Sequence, residues 1–200
     1  MRKAAPLAGT RQRPSGPLAS DARGRSDGIG RPSSQRAEHV SDDLRRGSDP
    51  NLTRRRRIAG LSLTAIGALG TVAAYQTGLI RHLPELPLPG LDADTVDASG
   101  EAYAQLVTPD AALGIASYAV TLILAGMGAR DRARTQPWIP LALAAKVGLD
   151  TAGSVFLGVE QASKHRAFCG WCLAATGASL AMVPQAIPEA REAWRQLRRG

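Results

Sequence analysis

From Ile58 onward, long apolar runs alternate with short polar ones. Ile58 to Ile80 is a 23-residue stretch without a charge. As a helix it crosses a hydrocarbon layer of about 30 Å with some tilt. Ala111 to Ala129 adds 19 uncharged residues, Trp138 to Val159 a third run interrupted by Lys146 and Asp150, and Phe168 to Ile187 a fourth. The pattern predicts four membrane-spanning helices, over about 58–80, 111–129, 138–159 and 168–187, in an all-α polytopic bundle. Arg81 to Asp110 reads as a polar loop. It opens on Pro84, Pro87 and Pro89, which block a regular helix, and continues acidic through Asp92, Asp94, Asp97 and Glu101. Glu160 to Ala167 reads as a short polar loop, and residues 191–200 as a basic C-terminus.

Residues 1–57 break the pattern. They are rich in Arg, Ser, Gly and Pro, and nearly free of aliphatic clusters. Such a stretch cannot bury enough apolar surface to offset its ordering entropy, so a disordered basic tail is expected there. A signal peptide over the first apolar run is the rival reading. The run is long for a signal, and no clear cleavage site follows it, so a retained span is expected.

Charge then orients the spans. The chain carries a formal net charge of +8. Residues 1–57 hold 14 Lys/Arg against 6 Asp/Glu, without interleaved aromatics or a nucleic-acid-binding motif, which argues against nucleic acid as a partner. With the N-terminus inside, 21 of the 25 basic residues lie on the inner side. Three (Arg81, Lys164 and Arg166) lie outside, and Lys146 lies within a span. The positive-inside rule therefore puts both termini inside and the 81–110 loop outside. In a bacterial cytoplasmic membrane that outer side is oxidising.

The candidate chemistry sits at the mouth of the fourth span. The chain's two cysteines form Cys169-Gly170-Trp171-Cys172. The C-x-x-C spacing lets two thiols on one helical turn close into a disulfide. Unpaired N–H groups at a helix start favour the thiolate. Cys169 is the outermost and is expected to meet a partner thiol from the aqueous side. Cys172 lies about 4.5 Å deeper by helical rise, a depth suited to a membrane-soluble acceptor such as a quinone. Phe168 and Trp171 flank the pair and can wall an aromatic ligand or anchor the helix at the interface. Lys146 and Asp150 stand four apart on one helix face, as a neutralising pair or a proton path. Asp110 is a polar candidate near the depth of the cysteines, and His165 a proton relay. Zinc would find His165, Cys169 and Cys172, three ligands at most, so no metal is expected.

Four spans, a long first outer loop and Phe168-Cys169-Gly170-Trp171-Cys172 resemble the vitamin K epoxide reductase family. Pro109-Asp110-Ala111-Ala112-Leu113-Gly114-Ile115-Ala116-Ser117-Tyr118 is similar to the start of that family's second span. The resemblance covers roughly residues 58–190. It implies a membrane oxidoreductase that passes electrons from protein thiols to a quinone, menaquinone or ubiquinone, with a thioredoxin-like protein as outer-side partner. It implies that Cys172 faces the quinone, that Cys169 exchanges with the incoming thiol, and that Asp110 and Thr176 offer it hydrogen bonds. One departure stands out. Family members carry a second cysteine pair in the first outer loop, whereas Val96-Asp97-Ala98-Ser99 offers none. The pair must then meet a protein or small-molecule thiol directly. The alternatives are a redox-inactive membrane scaffold and a metal-binding bundle.

Overall fold

The computed structural model describes residues 33–104 and 106–199. Its long helices are α2 (Pro50–Gln76), α4 (Asp110–Gly126), α6 (Trp138–Glu160) and α7 (Gly170–Leu197). Shorter ones are α1 (Gln35–Arg46), α3 (Ala93–Asp97) and α5 (Arg132–Thr135). No strand occurs among the described residues. The fold is an all-α bundle in which α2 packs on α4 and α7, and α6 closes the ring against α7 and α4. Its core is small-residue rich, with Ala65, Ala111, Ala125, Ala175 and Ala178 buried among Ile58, Val72, Leu143, Val147 and Met182. A Cβ at Gly114 would stand 2.6 Å from Leu69 Cδ1, so α2 and α4 meet there at glycine distance.

Among the described residues two helices are long and apolar enough to cross a membrane: Pro50–Gln76, and Trp138–His165, which includes a π turn after α6. Ile123, Leu149 and Phe156 are 64–70% exposed. Large apolar side chains turned outward beside a well-packed interior are what a lipid-facing surface requires.

Several boundaries differ from those the apolar runs predict. The stretch expected to be disordered is largely helical where it is described: α1 lies within it, and α2 begins at Pro50, ahead of the arginine run. Residues 1–32 of that stretch lie outside the described residues. Asp49 caps α2 by accepting from the N–H groups of Asn51 and Leu52, with Pro50 in the first turn. α2 then stops at Gln76 rather than Ile80. The third helix does not give way to a loop at Glu160. It widens into the π turn Gln161–His165 and ends where Arg166 adopts a left-handed φ of 52°. The fourth helix begins one residue after Cys169 and continues through Pro184 and Pro188 to Leu197. Proline removes one N–H without ending the helix here, because Glu189, Ala190 and Ala193 are held in the bundle on the far side.

The holding device is a pair of buried arginines at the end of α4. Arg132 donates bidentately to Glu189, at 2.8 and 2.7 Å, and to the carbonyls of Leu124 and Met127. Arg55 donates to the carbonyls of Ala125, Met127, Gly128 and Ala129. Leu124 and Ala125 are among the carbonyls a helix end leaves without intrahelical partners, and Met127, Gly128 and Ala129 belong to the turn that follows. Arg55 and Arg132 are 1% and 0% exposed. Breaking a buried pair on one side strands the other charge, a loss of about 3–5 kcal/mol. Glu189→Ala is therefore expected to destabilise the detergent-solubilised protein by about that much, whereas Glu192→Ala, which removes the exposed partner of Arg134, changes it by less than about 1 kcal/mol. Denaturant unfolding of both variants measures the contrast.

Candidate functional site

The end of the bundle beside the 81–110 loop is organised around the start of α7. Cys169 is the N-cap of that helix, in extended backbone, and its Sγ accepts the N–H of Cys172 at 3.2 Å. Both cysteines are unbridged thiols. The N–H favours negative charge on the Cys169 sulfur, while the lack of water around a fully buried side chain opposes it.

Cys169 is 0% exposed, and Cys172 is the more open of the two. The expectation that Cys169 faces water is thus corrected. The reason is the 81–110 loop, which folds back over it. Phe168 N–H donates to Gly90 O at 2.8 Å, and Asp92 N–H to Phe168 O at 3.0 Å. Glu85 spans the gap with its carboxylate, accepting from Gly170 N on one oxygen and from Ala93 N on the other. A Cβ at Gly170 would stand 2.8 Å from that carboxylate, so glycine keeps the contact open. Trp171 donates its indole N–H to Pro84 O at 2.9 Å. Leu83, Ala93 and Val96 complete the cover with apolar contact.

That folding brings Asp97, the last residue of α3, onto the thiols. Its Oδ1 accepts from Cys172 Sγ at 3.8 Å. The Asp97 carboxylate and the two sulfurs lie within 4.8 Å of one another. Asp97 is 2% exposed and its Oδ2 has no hydrogen-bond partner. Burial pushes its carboxyl up to about 6, and the charge of Asp110 adds to the rise against the lowering effect of the thiols. His165 does not join this group, so the ligand trio of His165, Cys169 and Cys172 is not assembled.

Beside Cys172 lies a cavity of about 120 Å³. Of the residues singled out from sequence, Cys172, Asp110, His165 and Thr176 line it, together with Asp97 and Tyr118. Gln76 donates to Asp110 Oδ1 at 2.7 Å and fixes that carboxylate at the cavity wall. Thr176 donates back to Cys172 O at 2.9 Å. Phe168 and Trp171 do not line the cavity: they hold the loop. Lys146 and Asp150 are ion-paired away from it, with Ser117 and Thr121 donating to the Asp150 carboxylate at 2.7 and 2.6 Å. The pair reaches the cavity only through the backbone: Ser154 donates to Asp150 O and meets Tyr118 OH, which lies 2.5 Å from Ser179 Oγ.

Asp97 and Glu85 were the residues that sequence reading left unassigned. The only signal for Asp97 was its place beside Ala98, where the family resemblance led one to look for a cysteine.

The family model described as the vitamin K epoxide reductase family matches residues 57–187. No curated protein and no solved structure matches the chain.

Two outcomes test this geometry. Glu85→Ala removes a carboxylate with two backbone donors, and hydrogen bonds to charged groups contribute about 1.5–3 kcal/mol each. Alkylation of Cys169 by a bulky maleimide, read by mass spectrometry, is expected to accelerate by at least about tenfold; an unchanged rate means Glu85 does not hold the cover down. Asp97 has its folded pKa raised, so its contribution to stability is present below about 3.8 and is lost as pH rises through about 6. Asp97→Asn is expected to gain about 2–3 kcal/mol on the parent between pH 4 and pH 7.5, measured by denaturant unfolding at both pH values.

Proposed function

Because this chain belongs to the vitamin K epoxide reductase family of membrane thiol–quinone oxidoreductases, we propose that Cys169 and Cys172 carry electrons from a thiol reductant to a quinone. One observation carries the reading: the two sulfurs sit at the N-terminus of a helix, and the deeper one opens onto a cavity walled by Asp110 and Thr176. The incoming thiolate attacks Cys169 Sγ of the disulfide, and Cys172 leaves as the thiolate. The second thiol of the reductant then releases Cys169. Closing the pair again gives up two electrons and two protons, which the quinone takes to become the quinol. Menaquinone and ubiquinone both fit this chemistry. Asp110 is proposed to hydrogen-bond a quinone oxygen and His165 to relay protons along the cavity wall. Lys146 and Asp150 serve the same path at most indirectly, since their charges neutralise each other.

In this reading four helices, α2, α4, α6 and α7, span a bacterial cytoplasmic membrane with both termini inside. The excess of basic residues on that side supports it. The reductant is a thioredoxin-like protein or a small thiol on the outer side. The burial of Cys169 requires the loop before α3 to lift when a protein thiol engages, while a small thiol needs a smaller opening.

Reduced full-length protein in detergent is expected to recover its disulfide on addition of a soluble quinone, with one quinol formed per pair. Cys172→Ala and Cys169→Ala should both abolish quinol formation, a loss of at least about 10³-fold given the non-additive behaviour of residues that act as a unit. Undiminished quinol formation by Cys172→Ala removes the reading. A fusion tag after Gly200 that is cleaved from the outer face removes the topology.

A further inference from the structure

A dithiol cannot close, nor a disulfide open, without moving a proton at each sulfur. The family's loop cysteines are absent here, yet the loop still delivers a side chain to the C-x-x-C. That side chain is Asp97, and its surroundings are unusual for an ordinary buried acid. One oxygen faces Cys172 Sγ at 3.8 Å, and the other is buried without any partner. Among the described residues no lysine or arginine pairs with it. The groups facing it are Cys169 and Cys172 from α7, Glu85 from the covering loop and Asp110 from the start of α4, with Glu101 and His165 on the shared cavity. A carboxylate so poorly solvated and surrounded by acids is a stronger base than one in water.

The geometry points to Asp97 as the proton-exchanging catalytic residue of Cys172. This rests on the C-x-x-C being the redox pair. When an incoming thiolate forms its bond to Cys169 Sγ, the Cys169–Cys172 bond breaks and its electron pair leaves on Cys172 Sγ. Protonated Asp97 gives its proton to that sulfur and becomes the carboxylate. On reoxidation Cys172 Sγ returns the proton to Asp97, and the two electrons leave the pair for the quinone, which takes the Cys169 proton and, from water, the proton that the incoming thiol released on becoming a thiolate. A carboxyl near 6 is matched to this exchange at neutral pH far better than one near 3.8. The carboxylate thus lets a chain without loop cysteines keep a working first step: the loop contributes a base rather than a relay thiol.

The test uses a thiol reagent, so it does not depend on quinone chemistry. In the full-length Cys169→Ser chain, Cys172 is the sole thiol. Its reaction with 4,4′-dithiodipyridine is expected to rise through about pH 6 and level off. Adding Asp97→Asn should remove that step and slow the reaction at pH 7 by about 100-fold. Adding Asp97→Glu should restore the step. If Asp97 acts only as a fixed negative charge, Asp97→Asn reacts as fast or faster, because removing the charge eases formation of the thiolate; that result overturns the inference. So does a Glu variant that behaves like the Asn variant. Should the Asn variant not fold, the profile of the parent decides, and the absence of a step near pH 6 overturns the inference. A Cys169→Ser chain that shows the step, beside an unsubstituted chain that forms no quinol, keeps the proton exchange and loses the quinone reading.

Discussion

The carboxylate of Glu85 bridging Gly170 N–H and Ala93 N–H is the contact on which the thiol-bearing end of the bundle depends. One oxygen satisfies an orphan donor at the start of α7. The other satisfies the first helical residue of α3. Two helix starts from distant parts of the chain are thereby tied to one side chain. The backbone pairing of Gly90 and Asp92 with Phe168 repeats the tie on the neighbouring residues. With the loop pinned in this way, α3 has one place to lie, and its last residue falls on the thiols. Cys169 is buried for the same reason that Asp97 is close.

The bundle interior obeys a different rule. Its polar groups come in closed sets. Lys146 and Asp150 neutralise each other and share Ser117 and Thr121. Tyr118, Ser154 and Ser179 satisfy one another across three helices. A polar group without a partner is expensive in an apolar surround, and Asp97 Oδ2 is the unsatisfied one among the described side-chain atoms. The site is thus marked by where the rule is broken.

Much of the helical core was legible because an uncharged run long enough to span a membrane has few other uses. Its edges were less legible, and the reason is physical. Arg55 reads as a charge that ends an apolar run, yet it lies inside a helix because four carbonyls of a distant segment receive it. Pro184 reads as a stop, yet tertiary packing carries α7 past it. At the site, the C-x-x-C was visible as spacing along a helix, Asp110 as a polar residue at the start of a span, and Thr176 only through the family resemblance. Asp97 was not, since its proximity to Cys172 comes from a loop closing over 75 residues of chain, and no local periodicity reports such a closure. Phe168 and Trp171 were visible as aromatics beside the pair, but their contacts are with the loop.

Under the proposed topology the arginines beside the end of α4 carry a double duty. Basic residues on the inner flank act as an address during insertion, when each segment chooses its side. In that topology Arg55 and Arg132 belong to that address, and in the finished molecule both are stripped of water and locked onto the carbonyls ending α4. The label that sorts the segments becomes the mortar between them. A segment inserted the wrong way round would lack both its signal and its joint, so errors of orientation and errors of assembly are rejected together.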